Sequence, residues 1–264
     1  MLGGPLLNLL ATSWIAILVE RNEAQVVYPF DTLRTAPVDA GLSGFSELEF
    51  VTTDGTELVV WTHPPASGRP VILYLPGNAG TLAARAGRFQ EFSSMGFGVV
   101  ALAYRGSSGS GGSPDEHLLT GDAAALNARL AQIAPGAPVV LYGESLGSAL
   151  AIKLAAAEQV SGVVLEAPFT TFPEIVTAQF PREVGLEAMF TQVWNSRALI
   201  GDVTEPLLIL HGTEDRLVPF VQGQELLERA GSIDKRMVAI TDGRHHELWT
   251  PAAQEALYRF LDRL

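Results

Sequence analysis

Residues 138–157 read PVVLYGESLGSALAIKLAAA, and this stretch decides the fold of the chain. The short apolar run Pro138–Tyr142 is typical of a buried strand, and Leu146–Ala157 has the pattern of a buried helix. Between them lies GESLG, residues 143–147, in the strand–turn–helix context where G-x-S-x-G marks an exposed nucleophilic serine. Its two glycines are needed because a Cβ on either would collide with the neighbouring elements. The sequence therefore predicts that Ser145 is a nucleophile.

Strand and helix patterns alternate through most of the remaining chain. Further apolar runs bounded by Gly or Pro predict strands at Pro70–Leu75, Gly98–Ala103, Gly162–Glu166, Pro206–Leu210 and Met237–Ile240. Helical patterns separate them at Leu82–Ser94, Glu116–Ile133, Phe220–Ala230 and Pro251–Leu264. A predicted hairpin, Leu48–Thr52 with Glu57–Trp61, precedes them. This order predicts an α/β fold with a mostly parallel central sheet and helices on both of its faces.

A nucleophilic serine needs a histidine base and an acid that orients the base, and after this kind of turn the acid precedes the histidine. The segment after Pro206–Leu210 offers two acids, Glu214 and Asp215. Asp215 is the preferred acid because it stands in the Gly-led turn directly before the next helix. Glu214 is interpreted as its solvent-facing neighbour.

The chain has five histidines, and only two of them follow the last predicted strand. His63, His117 and His211 lie in positions that favour a structural role. We expect His245 to be the base and His246 to be a packing neighbour, although the spacing alone leaves this choice open.

The loop after the first core strand, LPGNAG at residues 75–80, is expected to hold the oxyanion. Its glycines let the backbone approach a substrate closely, and the Asn78 N–H is the preferred donor, with Ala79 as the alternative. The Leu146 N–H at the start of the following helix is the second donor. The same letters also suit an ordinary turn, which is the competing interpretation.

A segment at about 169–204 interrupts the alternation, because it has no strand-like run but many aromatic residues. It is predicted to be a short helical insertion, or cap, in which Phe169, Phe190 and Trp194 contact an apolar substrate. The competing interpretation is a connecting helix whose aromatic residues face the core.

Composition excludes several classes of protein. The formal charge of −12 argues against nucleic acid as a partner, since binding it needs a clustered basic surface. There is no cysteine, which excludes disulfides, thiolate metal sites and a cysteine nucleophile. No metal or organic cofactor is expected, because a serine with its base and acid needs neither.

The amino terminus, residues 1–25, forms a hydrophobic segment ahead of the main domain at 26–264. Residues 2–19 carry no charged side chain, which predicts membrane association of an otherwise cytoplasmic protein. Two alternatives stay open: an atypical signal peptide, and a helix packed against the domain.

Taken together, these motifs resemble the Bem46-like group of α/β-hydrolases and its ABHD13 and ABHD17 branches. The matching motifs are PGNAG at 76–80, YRG at 104–106, GESLG at 143–147, HGTEDRLVP at 211–219 and GRH at 243–245. The resemblance implies the α/β-hydrolase fold, a Ser-Asp-His triad, an oxyanion hole and, in many members, a hydrophobic membrane segment. Pro76 replaces the usual histidine of the first motif, and His246-Glu247 replaces the usual Asn-Asp, which weakens the transfer of substrate preference.

The expected activity is hydrolysis of carboxylic ester or thioester bonds in a small acyl or lipid-like substrate. An aminopeptidase or amidase is the alternative enzyme, since Glu174, Glu183 and Glu187 in the insertion could bind a substrate amine. The alternative outside enzymes is a non-catalytic binding protein with the same fold.

Overall fold

The computed structural model describes residues 14–264. Its eight strands are β1 Ser46–Val51, β2 Glu57–His63, β3 Val71–Leu75, β4 Gly98–Leu102, β5 Val139–Glu144, β6 Gly162–Glu166, β7 Leu207–Gly212 and β8 Lys235–Ile240. Its helices are α1 Trp14–Val27, α2 Ala86–Ser94, α3 Glu116–Ile133, α4 Leu146–Ala155, α5 Phe172–Gln179, α6 Ser196–Leu199, α7 Phe220–Arg229 and α8 Pro251–Leu261. Short 3₁₀ turns lie at Leu82–Arg85, Leu186–Met189 and Ile200–Asp202.

All eight strands form one sheet in the order β1-β2-β4-β3-β5-β6-β7-β8. The pairs β1–β2 and β2–β4 are antiparallel, and every pair from β4–β3 to β7–β8 is parallel. The predicted hairpin and the mostly parallel sheet are thereby confirmed. The carboxyl ends of β3, β5, β7 and β8 meet at one edge, where ligands bind in open α/β sheets.

Two apolar layers cover the sheet, one on each face. Alternate side chains of β3 show the division, since Leu73 packs in one layer and Tyr74 in the other. Helices α1, α3, α4 and α7 contribute to the first layer, and α2 and α8 to the second. Every residue of β3 is buried, as expected for a strand covered on both faces.

Helix α1 packs against the domain through Ile15, Val19 and Val27, all of them buried. Its backbone leaves helical geometry at Asn22, which has φ −158° and ψ 66°. The predicted amino-terminal segment therefore lies partly outside the described residues, and its described part rests on the core. From residue 14 onward, no helix combines the length and the apolar character needed to cross a bilayer.

The glycine- and serine-rich loop after β4 is ordered around a buried arginine. The guanidinium of Arg105 bonds Asp122 in α3, with Nε 2.6 Å from Oδ2, and Asp54 in the β1–β2 turn, with Nη1 2.6 Å from Oδ2. Arg105 and Asp122 are each only 4% exposed. The ion pair therefore ties the hairpin and α3 to the loop.

Replacing this arginine should destabilise the fold. Arg105→Leu leaves the buried Asp122 carboxylate without its partner, and we expect a loss of about 3 kcal/mol in the free energy of unfolding. Urea denaturation measures it. The control Arg259→Leu removes a pair with Glu255 that is exposed on both sides, where about 0.5 kcal/mol is expected. Equal losses in the two variants would contradict the proposed role of Arg105.

Candidate active site

Ser145 occupies the sharp turn between β5 and α4. Its backbone has φ 50° and ψ −112°, a region that residues other than glycine rarely adopt. A Cβ on Gly143 would lie 2.3 Å from Gly147 O, and one on Gly147 would lie 1.9 Å from Leu75 O. The predicted need for both glycines is confirmed: they let α4 pack directly on the β3 and β5 backbones.

Three side chains from three separate loops form one hydrogen-bonded chain. His245 Nε2 is 3.0 Å from Ser145 Oγ, and His245 Nδ1 is 2.7 Å from Asp215 Oδ2. With Nδ1 protonated, His245 donates to Asp215, and its Nε2 accepts from the Ser145 hydroxyl. This is the connectivity that makes a serine nucleophilic.

Asp215 is held in place and kept ionised. Its Oδ1 accepts the N–H groups of Leu217 and Val218, both at 2.9 Å, while its Oδ2 lies 3.6 Å from His211 Nε2. Burial opposes the charged form, but the neighbouring His211 and His245 rings and the Val218 N–H outweigh it, so the pKa of Asp215 lies well below 3.8. The carboxylate therefore remains an acceptor for His245 throughout the neutral range.

The sequence left two choices open, Glu214 or Asp215 and His245 or His246, and the structure distinguishes the two members of each pair. Glu214 is exposed, whereas the Asp215 side chain is buried and bonds His245. His246 is also exposed, and its ring stands edge-on to that of His245, with centroids 4.9 Å apart. His211 is fully buried, and its Nε2 lies 3.0 Å from Val218 O.

The loop at 75–80 lies directly against the serine. A Cβ on Gly77 would lie 3.2 Å from Glu144 Oε1 and 3.4 Å from Ser145 Cβ, so the loop backbone passes close to both residues. Asn78 lines the same cavity as Ser145 and Leu146, and its Nδ2 donates to Val27 O at 3.1 Å, which fixes the loop to the end of α1. Pro76, the unusual residue, accepts a hydrogen bond from Tyr104 Oη at 2.8 Å.

An apolar cavity of about 160 Å³ opens beside Ser145. Phe169 lines it, as predicted from the sequence. Among the described residues, Phe190 and Trp194 are not part of its wall. Phe190 packs behind Phe172, and Trp194 is fully buried with its indole N–H donated to Tyr28 Oη at 3.0 Å.

Other wall residues were missed by sequence reasoning. Helix α5 contributes Phe172, Ile175, Val176 and Gln179, and the adjoining residue Phe180 completes this face. Their i, i+3, i+4, i+7 and i+8 spacing is the signal of one apolar helical face and could have identified them. Ile15 and Val26 of α1 also line the cavity, and no local pattern links α1 to the serine.

The acidic residues of the insertion stand apart from this cavity. Glu174 forms a salt bridge with Arg197, with Oε1 2.8 Å from Nη1. Glu187 is exposed, and Glu183 is half-buried. Among the described residues, none of the three lines the apolar cavity.

Comparisons with known proteins agree with this architecture. The family model described as serine aminopeptidase, S33, matches residues 66–199. Protein bem46 of Schizosaccharomyces pombe is 32% identical over 204 residues, covering 75% of this chain and 68% of that protein. Lysophosphatidylserine lipase ABHD12 of Danio rerio is 30% identical over 256 residues, which cover 81% of this chain and 66% of that protein.

A solved structure shares the fold at low sequence identity. The Pyrococcus furiosus esterase Pf2001 superposes with a TM-score of 0.73 at 19% identity, covering 89% of this chain and 96% of that one. The shared fold, the match to the family model and the similarity to bem46 thus all agree with the motifs around Ser145. The chain belongs to the Bem46-like α/β-hydrolases, within the family described as serine aminopeptidase, S33.

Proposed function

We propose that the chain is a serine hydrolase that cleaves carboxylic ester or thioester bonds through Ser145, His245 and Asp215. The observation that carries the proposal is the hydrogen-bonded chain from Ser145 Oγ to His245 at 3.0 Å and from His245 to Asp215 at 2.7 Å. An orienting carboxylate, an imidazole bonded to both partners and a strained serine at the carboxyl edge of a parallel sheet together support nucleophilic acyl transfer.

The reaction proceeds through an acyl-enzyme. Ser145 Oγ attacks the carbonyl carbon while its proton passes to His245 Nε2, and Asp215 stabilises the resulting imidazolium. The backbone N–H groups of Asn78 and Leu146 hold the negative oxygen. His245 then protonates the departing alcohol or thiol. Water, activated by His245, releases the acid and restores Ser145.

An apolar acyl chain suits the cavity beside the serine. The wall formed by α5 and α1 is aliphatic and aromatic, and the insertion at about 169–204 acts as a cap over it. The printed names of ABHD12 and Pf2001, a lipase and an esterase, support the same substrate class. Fluorophosphonate labelling of Ser145, followed by p-nitrophenyl esters of graded chain length, tests the proposal. An unlabelled serine would contradict it.

An aminopeptidase is the second candidate, favoured by the description of the matching family. A substrate amine needs an uncommitted carboxylate near the serine. Glu174 is paired with Arg197, and Glu144 next to Ser145 is paired with Arg85, with Nη2 2.7 Å from Oε1. Amino-acid arylamides, assayed beside the esters, separate the two activities. We expect ester cleavage to exceed arylamide cleavage.

Replacing each of the two adjacent histidines should have very different effects on kcat. His245→Ala removes the base and should lower kcat by about 10⁴-fold or more. His246→Ala removes an exposed ring and should keep kcat within about threefold. Steady-state kinetics on one ester measures both variants. A deeper loss in His246→Ala than in His245→Ala would reverse the assignment of the base.

The depth of the apolar cavity should set acyl-chain preference. Ile175→Trp enlarges a side chain in the cavity wall, and we expect the kcat/KM ratio of octanoate to acetate ester to fall about tenfold. The matched control Val221→Trp alters an α7 side chain that is 63% exposed and should keep the ratio. An unchanged ratio in Ile175→Trp would show that the acyl chain lies elsewhere.

Membrane association through residues 2–19 is proposed as a second property of the chain. Its support is an uncharged, apolar sequence that leads into α1, where Trp14 is 66% exposed and Ile15 lines the apolar cavity. A bilayer bound there would bring lipid substrates close to the cavity. Fractionation of the full-length chain tests it, and complete recovery in the soluble fraction without detergent would contradict it.

A further inference from the structure

Arg85 binds the backbone of the loop that carries the proposed oxyanion donor. It lies in the 3₁₀ turn Leu82–Arg85, just after that loop, and its side chain is 9% exposed. Its Nη1 donates to Ala79 O at 2.5 Å and to Thr81 O at 3.1 Å. Because Ala79 directly follows Asn78 in the chain, these bonds restrict the position of the Asn78 N–H.

The other edge of the same guanidinium binds the residue that precedes the nucleophile. Arg85 Nη2 donates to Glu144 Oε1 at 2.7 Å, and Arg85 Nε donates to Glu144 Oε2 at 3.0 Å. Two parallel bonds between a planar guanidinium and a planar carboxylate fix orientation as well as distance. Glu144 is the last residue of β5, and Ser145 follows it directly. One arginine therefore links the oxyanion loop to the turn that holds the nucleophile.

The Glu144 carboxylate is fixed from a second side and stays charged. Tyr74 Oη donates to Glu144 Oε2 at 2.6 Å, and Tyr74 itself is fully buried in β3. Burial raises the pKa of Glu144, but the Arg85 guanidinium outweighs burial, and the pKa lies below its ordinary value. The link between the loop and the turn is therefore an ion pair throughout the neutral range.

The backbone of the loop packs against this ion pair on both sides of Asn78. A Cβ placed on Gly77 would lie 3.2 Å from Glu144 Oε1 and 3.5 Å from Arg85 Nη2. One placed on Gly80 would lie 3.3 Å from Arg85 Nη1. The loop cannot move toward the ion pair without a clash, and the bonds from Arg85 oppose movement away from it.

We infer that the Arg85–Glu144 ion pair is a positioning device for the oxyanion hole, which sets the Asn78 N–H relative to Ser145 Oγ. The inference rests on the proposed acyl transfer and adds two positioning residues to it. An oxyanion donor acts mainly on the negative charge that develops in the transition state. A donor displaced from its place should therefore lower kcat and leave substrate binding almost unchanged.

Arg85→Leu removes the bonds to Glu144 and to the loop together. We expect kcat for p-nitrophenyl octanoate to fall about 10²-fold while KM stays within about threefold, the loss expected for a misplaced oxyanion donor. Arg85→Lys keeps the positive charge but lacks the planar fork, so its kcat should fall about tenfold. It also tests the inference if the leucine variant does not fold.

The matched control is Arg105→Leu, which removes another buried arginine with a buried carboxylate partner. Its partners Asp122 and Asp54 belong to α3 and to the β1–β2 turn. At a temperature where both variants are folded, Arg105→Leu should lower the urea midpoint as Arg85→Leu does, yet keep kcat within about threefold. An equal loss of kcat in the two variants would contradict a specific role of Arg85.

A double variant separates positioning from support of the fold. Adding Glu144→Gln to Arg85→Leu neutralises the carboxylate that has lost its partner, and we expect about half of the loss in urea midpoint to be recovered. The bonds from Arg85 to Ala79 O and Thr81 O remain absent, so kcat should stay low. Recovery of kcat together with the urea midpoint would show that the pair only supports the fold.

Two reversible inhibitors give a readout that stability alone does not change. Ser145 Oγ adds to the carbonyl carbon of an octyl trifluoromethyl ketone, its proton passes to His245, and the ketone oxygen becomes negative as in the tetrahedral intermediate. The matched methyl ketone binds without this addition. In Arg85→Lys we expect the inhibition constant to rise about tenfold for the trifluoromethyl ketone and less than twofold for the methyl ketone. Equal changes for the two ketones would overturn the inference.

Failure of this inference is distinguishable from failure of the proposed function. An active wild-type chain whose kcat survives in Arg85→Leu or Arg85→Lys would overturn only the role of the ion pair. A wild-type chain that cleaves no octanoate ester would end the proposed ester hydrolysis, and this inference with it.

Discussion

Ser145→Ala is expected to lower kcat for ester hydrolysis by about 10⁴- to 10⁶-fold. The alanine methyl cannot attack a carbonyl carbon, and His245 then has no proton to accept from residue 145. The rate that remains comes from substrate binding and the oxyanion donors. Because alanine occupies the same positive-φ backbone as serine, the melting temperature should stay within about 3 °C of the wild-type value.

Two measurements together make this prediction decisive. Steady-state kinetics gives the activity, and fluorophosphonate labelling reports whether another serine reacts. The matched control is Ser113→Ala in the exposed loop after β4, which should keep both labelling and turnover. Labelling that persists in Ser145→Ala would place the nucleophile at another residue and end the proposal for this site.

Gly147→Ala is expected to prevent normal folding. The new Cβ would lie 1.9 Å from Leu75 O, 2.6 Å from Leu75 C and 2.8 Å from Pro76 O. These are backbone atoms of β3 and the loop after it, so α4 must move off the sheet to relieve the overlap. We expect a loss of more than about 4 kcal/mol, a large part of the total stability of an average domain.

Soluble yield and the urea midpoint measure this loss. Gly121→Ala is the matched control, because its helix position has open space within 4 Å of the new methyl. There we expect a gain of about 0.5 to 1 kcal/mol from improved helix propensity. A Gly147→Ala chain with the wild-type midpoint would mean that α4 does not contact β3 as closely as described.

Local sequence was enough to predict most of the sheet. Buried parallel strands have to be short and continuously apolar, so Val71–Leu75 and Gly162–Glu166 stand out between Gly- and Pro-bounded turns. The 18-residue α3, Glu116–Ile133, agrees with its predicted bounds, since Asp115 caps it through the His117 and Leu118 N–H groups. The predicted helix Leu82–Ser94 begins instead as a 3₁₀ turn before α2.

The apolar cavity was harder to predict from the sequence. Trp194 is a large aromatic residue of the kind that often lines an apolar pocket. Its indole N–H instead donates to Tyr28, which comes from a distant part of the chain. The contribution of α1 to the wall is equally non-local, because Ile15 reaches the serine only after α1 packs on the finished sheet. Contacts between segments so far apart leave no periodic signal.

The sequence by itself determined the strand–turn–helix at GESLG, since that turn is a local structure whose glycines and serine are adjacent in the chain. It also reduced the candidates for the acid to two adjacent residues and those for the base to two adjacent residues, because each pair follows a strand that the sequence predicts. Only the tertiary structure showed which member of each pair joins the hydrogen-bonded chain to Ser145: Asp215 rather than Glu214, and His245 rather than His246. It alone set the wall of the apolar cavity beside Ser145, because α1, α5 and the loops after β3 and β7 meet only when the sheet is complete.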